Sequence, residues 1–156
     1  MKFFLPKLKR GFTLIELLVV IGILTVLLAI TLIAINPQRQ FQQANDTQRQ
    51  SDVNAILNAI HMYAADHKGV LPTGIDTTAK NIKMGTGGAD LCADLVSAYI
   101  ADLPLDPTQG TKTPATDPCT TATAYDTGYQ VVKSSTNNRI TVSATPEVLS
   151  VISVTR

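Results

Sequence analysis

The sequence has no tryptophan, only two histidines and two cysteines, and aromatic residues make up 5% of its 156 positions. These shortages exclude several kinds of chemistry. His61 and His67 are six residues apart, not the four that would set two imidazoles on one helical face, so solvated histidines are expected rather than metal ligands. Neither Cys92 nor Cys119 belongs to a C-x-x-C pair, so zinc-type spacing is missing as well. There is no G-x-S-x-G, no P-loop and no H-E-x-x-H, and the GTGG at residues 85–88 lacks the flanks of a phosphate loop and reads as a turn. No enzymatic activity is expected. Basic charge is also short outside the N-terminus. Lys2, Lys7, Lys9 and Arg10 are four of the thirteen basic residues, and without residues 1–11 the other nine face all twelve acidic ones, turning a net +1 into −3. A chain of that sign lacks a basic surface for phosphate backbones, and nucleic-acid binding is not expected.

What the chain has in excess is one long apolar run. Residues 17–35, LLVVIGILTVLLAITLIAI, carry no charge, and the 24 residues from Phe12 to Ile35 would span about 36 Å as a helix, enough for a bilayer core of about 30 Å. A cleaved secretory signal would have a shorter core and a small-x-small site after it, whereas the boundary here reads TLIAINPQ. The span is therefore expected to be retained. Four basic residues precede it and only Arg39 and Arg49 follow closely, which places the N-terminus in the cytoplasm and exports the rest. In an exported domain the even cysteine count favours a Cys92–Cys119 disulfide over two unrelated thiols.

Glu16 stands near the start of this run, where a carboxylate costs up to about 2.5–3.5 kcal/mol on insertion scales, less toward the interface. Thr13-Leu14-Ile15-Glu16 fits a capping box, S/T-x-x-E, ahead of an apolar helix. A cap alone leaves the Gly11-Phe12 junction and the basic cluster before it without a role. Together, Lys9-Arg10-Gly11-Phe12-Thr13-Leu14-Ile15-Glu16 and the following LLVVIGIL resemble the N-terminus of type IV prepilins and of type II secretion pseudopilins. The resemblance is strong over about the first 35 residues and holds in outline over the next 35. It implies a basic leader, residues 1–11, removed by a prepilin peptidase between Gly11 and Phe12, and N-methylation of Phe12. It also implies assembly into a helical filament of identical subunits, in which Glu16 pairs with the Phe12 amine of a neighbour. The implied partners are the peptidase, an inner-membrane platform and an assembly ATPase. The implied location is the cytoplasmic membrane, single-pass, followed by an extracellular filament; the alternative is a periplasmic pseudopilus of a secretion or DNA-uptake system. A plain membrane-anchored binding module is the remaining reading.

Beyond the span (residues 12–36), Pro37 predicts a kink or a short melted segment. Residues 37–68 read as the amphipathic continuation of the long helix, with Val53, Ile56, Leu57, Ile60 and Ala64 as one stripe and Asp52, Asn54, Asn58 and His61 opposite it. Residues 69–156 read as a small head: a turn-rich segment to Gly88, a short helix over 90–100, an irregular loop over 108–124 and a three-stranded meander at 128–133, 139–144 and 148–154. The expected fold is α+β and pilin-like, a long N-terminal helix on a small antiparallel sheet. Asp102, Asp106, Asp117 and Asp126 surround the loop. The segment Leu103-Pro104-x-Asp106-Pro107 resembles the major pseudopilins, which bind calcium nearby, and hard oxygen donors suit Ca²⁺. The aromatic-glycine continuation of that family is replaced by Thr108-Gln109-Gly110, and the default expectation is no cofactor, with the carboxylates keeping the surface soluble.

Overall fold

The structure is a computed structural model that describes residues 11–156. Of the leader read at residues 1–11, only Gly11 lies within the described residues. The chain divides into two compact units, Met1–Gln40 and Phe41–Arg156.

In the first unit, α1 runs from Leu14 to Ile35, 22 residues or about 33 Å. None of its residues is buried. Leu, Ile and Val dominate every face, so the helix has no polar side to give water. It ends at Asn36, which takes the left-handed conformation at φ 45° and ψ 78°. Asn36 then caps the next helix, its carbonyl accepting from the Arg39 N–H at 3.1 Å and its Oδ1 from the same N–H at 3.4 Å. Pro37 is the first residue of α2 (Pro37–Asp66), where the missing proline N–H has no helical partner to lose. The break thus falls at Asn36-Pro37: the proline ring disfavours right-handed helical geometry at the residue before it, and Asn36 takes the left-handed conformation instead. A short polar residue in the left-handed region ends one helix, and its own side chain starts the following one.

In the second unit, Val53, Ile56, Leu57 and Ile60 of α2 are fully buried. They share one hydrophobic core with Ile82, Leu91, Leu95, Tyr129, Val131, Ile140, Val142 and Ile152. The i, i+3, i+4, i+7 stripe is the reason α2 is a helix here, since its remaining surface is mostly polar apart from the exposed Phe41 and Met62. The polar residues do not all face outward, however. Asp46, Arg49 and Asp52 are buried with the stripe.

The sheet has five strands: β1 (Lys80–Lys83), β2 (Thr111–Thr113), β3 (Ala124–Lys133), β4 (Ile140–Ala144) and β5 (Ile152–Thr155). Their order is β1-β3-β4-β5, with β2 also on β3, and every pair is antiparallel. The meander expected at the C-terminus is β3-β4-β5, but β3 begins four residues early and β5 is shorter than read. β3 alternates Tyr125, Thr127, Tyr129 and Val131 inward. The two added strands, KNIK and TKT, lie in stretches read as turn and loop, and both exist by pairing with the ten-residue β3. The helix read over 90–100 is only α3 (Cys92–Leu95), ended by the extended backbone of Val96 and followed by Ser97 at φ 70°.

Candidate functional site

Gly11, Phe12 and Thr13 lie outside regular structure, and the Phe12 ring is 85% exposed. A side chain added at Gly11 would meet nothing within 4 Å, so the backbone on the N-terminal side of the Gly11–Phe12 bond is open to close approach. Thr13 is the N-cap of α1. Its hydroxyl accepts from the Glu16 N–H at 3.3 Å. The Glu16 carboxylate in turn takes the Thr13 N–H at 2.8 Å and the Thr13 hydroxyl at 2.7 Å. The capping box is therefore formed in the single chain, and it holds the carboxylate one residue from Phe12. Further along α1 the two threonine hydroxyls turn back onto the helix, Thr25 to the Ile21 carbonyl at 2.6 Å and Thr31 to the Leu28 carbonyl at 2.9 Å. Each polar group within the span thus has a partner inside the helix, as a hydrocarbon environment requires. Among the described residues, α1 is the one helix long and apolar enough to cross a membrane, with a mean hydropathy of 3.1.

Residues 6–32 match the family model for the prokaryotic N-terminal methylation motif. This is the signature of type IV pilins and pseudopilins, and with the apolar α1 it supports a membrane-anchored pilin-like or pseudopilin subunit. The motif implies, in general terms, prepilin peptidase processing and filament assembly, and its family is of structural proteins rather than enzymes. No curated protein and no solved structure matches the chain. Downstream of the motif, the pilin-like reading therefore rests on the α+β head itself.

That head is organised around Arg49, whose side chain is completely buried. The guanidinium makes four hydrogen bonds and a further ion pair. Nε and Nη2 form a fork to the two oxygens of Asp106 at 2.6 and 3.1 Å, and Nη2 also donates to the Thr108 hydroxyl at 2.7 Å. Nη1 reaches Asp46 at 2.9 Å and Glu147 at 2.8 Å. Asp46 accepts besides from the backbone N–H groups of Glu147, Val148 and Leu149 at 2.9, 2.8 and 2.9 Å. Asp106 accepts from the N–H groups of Thr108 and Gln109, both at 2.9 Å. One helical side chain thus clamps the 104–110 loop and the β4–β5 loop to α2. Two glycines leave room for Asp106. A Cβ at Gly110 would come within 2.6 Å of the Asp106 nitrogen, and one at Gly128, where φ is +78°, within 2.7 Å of the Asp106 Cβ. Nothing in the hydrophobic stripe announced this hub. The available signals were the i, i+3 pair Asp46/Arg49 and an Asp-Pro-x-x-Gly turn at residues 106–110.

Burial raises both carboxyls, yet the net effect is downward. In Asp46 the amides of Leu149, Glu147 and Val148 and the Arg49 guanidinium outweigh it, leaving the group at about 2 instead of 3.8. In Asp106 the Arg49 guanidinium and the Thr108 and Gln109 amides likewise leave it at about 2. The carboxylate of Asp106, which accepts from Arg49, raises the guanidinium above its usual value together with Glu147 and Asp46, against the lowering effect of burial. Both carboxylates sit below their unfolded value, so the stability they contribute is complete above about pH 5 and is lost as pH falls through 2. The expected loss is on the order of 1–2 kcal/mol for each, allowing for solvent screening near the loop edge. It should appear as a falling urea midpoint between about pH 5 and 2. A flat midpoint across that window would count against the network.

The other sequence-marked carboxylates go separate ways. Asp102 takes Lys112 Nζ at 2.5 Å and the Cys119 N–H at 3.0 Å. Asp126 accepts from the Gly128 N–H at 3.0 Å, and Asp117 from the Thr116 hydroxyl at 3.3 Å. Among the described residues, no group of three or more His, Cys, Asp or Glu is placed to hold a metal ion. Asp52, read as outward-facing, is buried and accepts from the Tyr129 hydroxyl at 2.8 Å. His67 is exposed and stacks on Tyr63 at 3.9 Å, while His61 is partly buried.

Cys92 and Cys119 form a disulfide with Cα atoms 6.0 Å apart, both residues buried. The bridge ties α3 to the loop before β3, and Asp102 fixes the same loop through the Cys119 N–H. With a sequence separation of 27, chain entropy gives about 3.5 kcal/mol, and measured values usually fall short of that figure. The Cys92→Ser/Cys119→Ser double variant is expected to lose roughly 2–3 kcal/mol in urea denaturation, as is the reduced wild type. An unchanged midpoint in both would mean that the loop is held without the bridge.

Proposed function

We propose that the chain is a structural subunit of a type IV pilus-like filament, cut between Gly11 and Phe12 by a prepilin peptidase, N-methylated at Phe12 and polymerised through α1. The observation that carries this reading is the combination of the matched motif with a 22-residue apolar helix that has no partner within the described residues. A helix apolar on every face is stable in lipid before assembly and against copies of itself afterwards.

Glu16 gives the assembly its selectivity. A carboxylate at the start of a span is tolerated best beside a cation, and cleavage creates one at the Phe12 amine. Within its own chain the Glu16 carboxylate is occupied by the Thr13 cap. Pairing with a neighbour's Phe12 adds a counter-charge that the single subunit does not supply through that cap. The leader holds the N-terminus in the cytoplasm, the head is exported, and the platform with its ATPase lifts processed subunits out of the membrane.

The test is to shear filaments from cells and read the N-terminus of this protein by mass spectrometry. Abundant chain beginning at methylated Phe12 in the sheared fraction supports a surface pilin. The same processed N-terminus confined to the membrane fraction supports a pseudopilin. An intact Met1 leader would sink both readings.

A further inference from the structure

The resemblance of Leu103-Pro104-x-Asp106-Pro107 to the major pseudopilins implies calcium near this loop, and the side chains here do not fit that ion. Ca²⁺ takes about six to eight oxygen ligands at about 2.3–2.6 Å. Asp106, the carboxylate at the centre of the motif, has no oxygen to spare. Its Oδ2 receives Arg49 Nε, and its Oδ1 receives Arg49 Nη2, the N–H groups of Thr108 and Gln109 and the Thr108 hydroxyl. Asp102 is taken up by Lys112 and by the Cys119 and Leu103 amides. Asp117 accepts from the adjacent Thr116 hydroxyl and Asp126 from the Gly128 N–H, and among the described residues no group of three or more His, Cys, Asp or Glu is placed to hold a metal ion.

We propose that Arg49 is the built-in cation of the head: its guanidinium stands where three carboxylates from three separate segments converge, and it does the work of a bound metal ion. Asp46 comes from α2, Asp106 from the 104–110 loop and Glu147 from the β4–β5 loop. A cation that joins three segments in this way is what a structural calcium ion supplies elsewhere. Here the charge is covalently attached to α2 and cannot be chelated. The planar fork matters as well as the charge. A lysine ammonium has three donors around one nitrogen and cannot span Asp106, Thr108, Asp46 and Glu147 together. Gly110 and Gly128 fit the same purpose, since a Cβ at either would push Asp106 off the fork.

The experiment uses the full chain in detergent. The thermal midpoint of the wild type is followed by circular dichroism in excess chelator and in saturating calcium. The two midpoints are expected to coincide, and a rise of several degrees with calcium would overturn the proposal, because it would show a metal taking the place assigned to Arg49. The Arg49→Lys variant keeps the charge and loses the fork. A fall in its midpoint on the order of 5–10 °C is expected, and a wild-type midpoint would overturn the proposal. In Arg49→Ala, guanidinium chloride far below denaturing concentration should raise the midpoint relative to equal sodium chloride, whereas a fall alone would count against the site. Should both Arg49 variants fail to fold, Glu147→Gln, altered at the partly exposed edge of the cluster, repeats the calcium comparison. It is expected to be as blind to calcium as the wild type, and a calcium response there would also overturn the assignment.

Discussion

Arg49→Met is expected to destabilise the head by about 3–5 kcal/mol, the size usual for removing one partner of a buried ionic cluster. Methionine fills much of the space of the arginine stem, so cavity formation contributes little. What remains is three carboxylates, Asp46, Asp106 and Glu147, with their common counter-ion gone, a 104–110 loop that has lost the Arg49 tether to α2, and a β4–β5 loop still held to α2 through Asp46 and Asn45. The backbone amides that serve Asp46 and Asp106 soften the penalty but cannot neutralise it, since they were already in use. Urea denaturation of the detergent-solubilised chain by far-ultraviolet circular dichroism measures the effect. A loss below about 1 kcal/mol would show that the hub holds nothing. The deficit should shrink as pH falls toward 2. Protonation relieves the repulsion in the variant, while in the wild type it removes the attraction, so the two stability curves converge in acid.

The part of this protein that periodicity governs was readable from its residues. A charge-free run fixes α1, the 3.6-residue stripe of Val53, Ile56, Leu57 and Ile60 fixes the buried face of α2, and the β-branched runs fix β3 to β5 in outline. Cys92 and Cys119 were readable through the compartment that the span implies. The elements that escaped are those whose reason lies elsewhere in the chain. Nothing in KNIK or TKT demands a strand; KNIK forms chiefly by pairing with Gln130 and Val131 of β3, and TKT forms because β3 extends past Gly128 to Ala124 and offers unpaired backbone groups. Polar residues on α2 escaped for a related reason. Hydrophobic periodicity assigns Asp46, Arg49 and Asp52 to solvent by type, yet their partners lie 57, 77 and 101–103 residues further along. Proline was readable as the site of the helix break, since its ring disfavours helical geometry at Asn36; what escaped was that Asn36 would take the left-handed conformation and cap α2.

At the N-terminus, cap and counter-charge are two explanations of one residue, and a pair of substitutions separates them. Glu16→Gln preserves the capping box, since glutamine at the third position can still accept from the Thr13 N–H, but it removes the charge. Glu16→Ala removes both and should weaken the helix start by about 0.5–2 kcal/mol. If the carboxylate selects processed subunits by pairing with the Phe12 amine of a neighbour, both variants are processed normally and both lose filaments. A single pair worth about 1.4 kcal/mol at each addition changes the subunit equilibrium tenfold. The same contact recurs at every subunit, so sheared filament should fall by at least that factor while membrane-bound mature protein accumulates. If Glu16 serves only as a cap, Glu16→Gln assembles like the wild type and Glu16→Ala alone is impaired. Quantifying filament and membrane fractions for the two variants side by side, with the N-terminus of each read by mass spectrometry, decides between them. The capping box at 2.7–3.3 Å makes the glutamine variant the informative one, because its side chain has a ready-made hydrogen-bonding position to keep. Its failure to assemble would leave charge as the one property that the substitution removed.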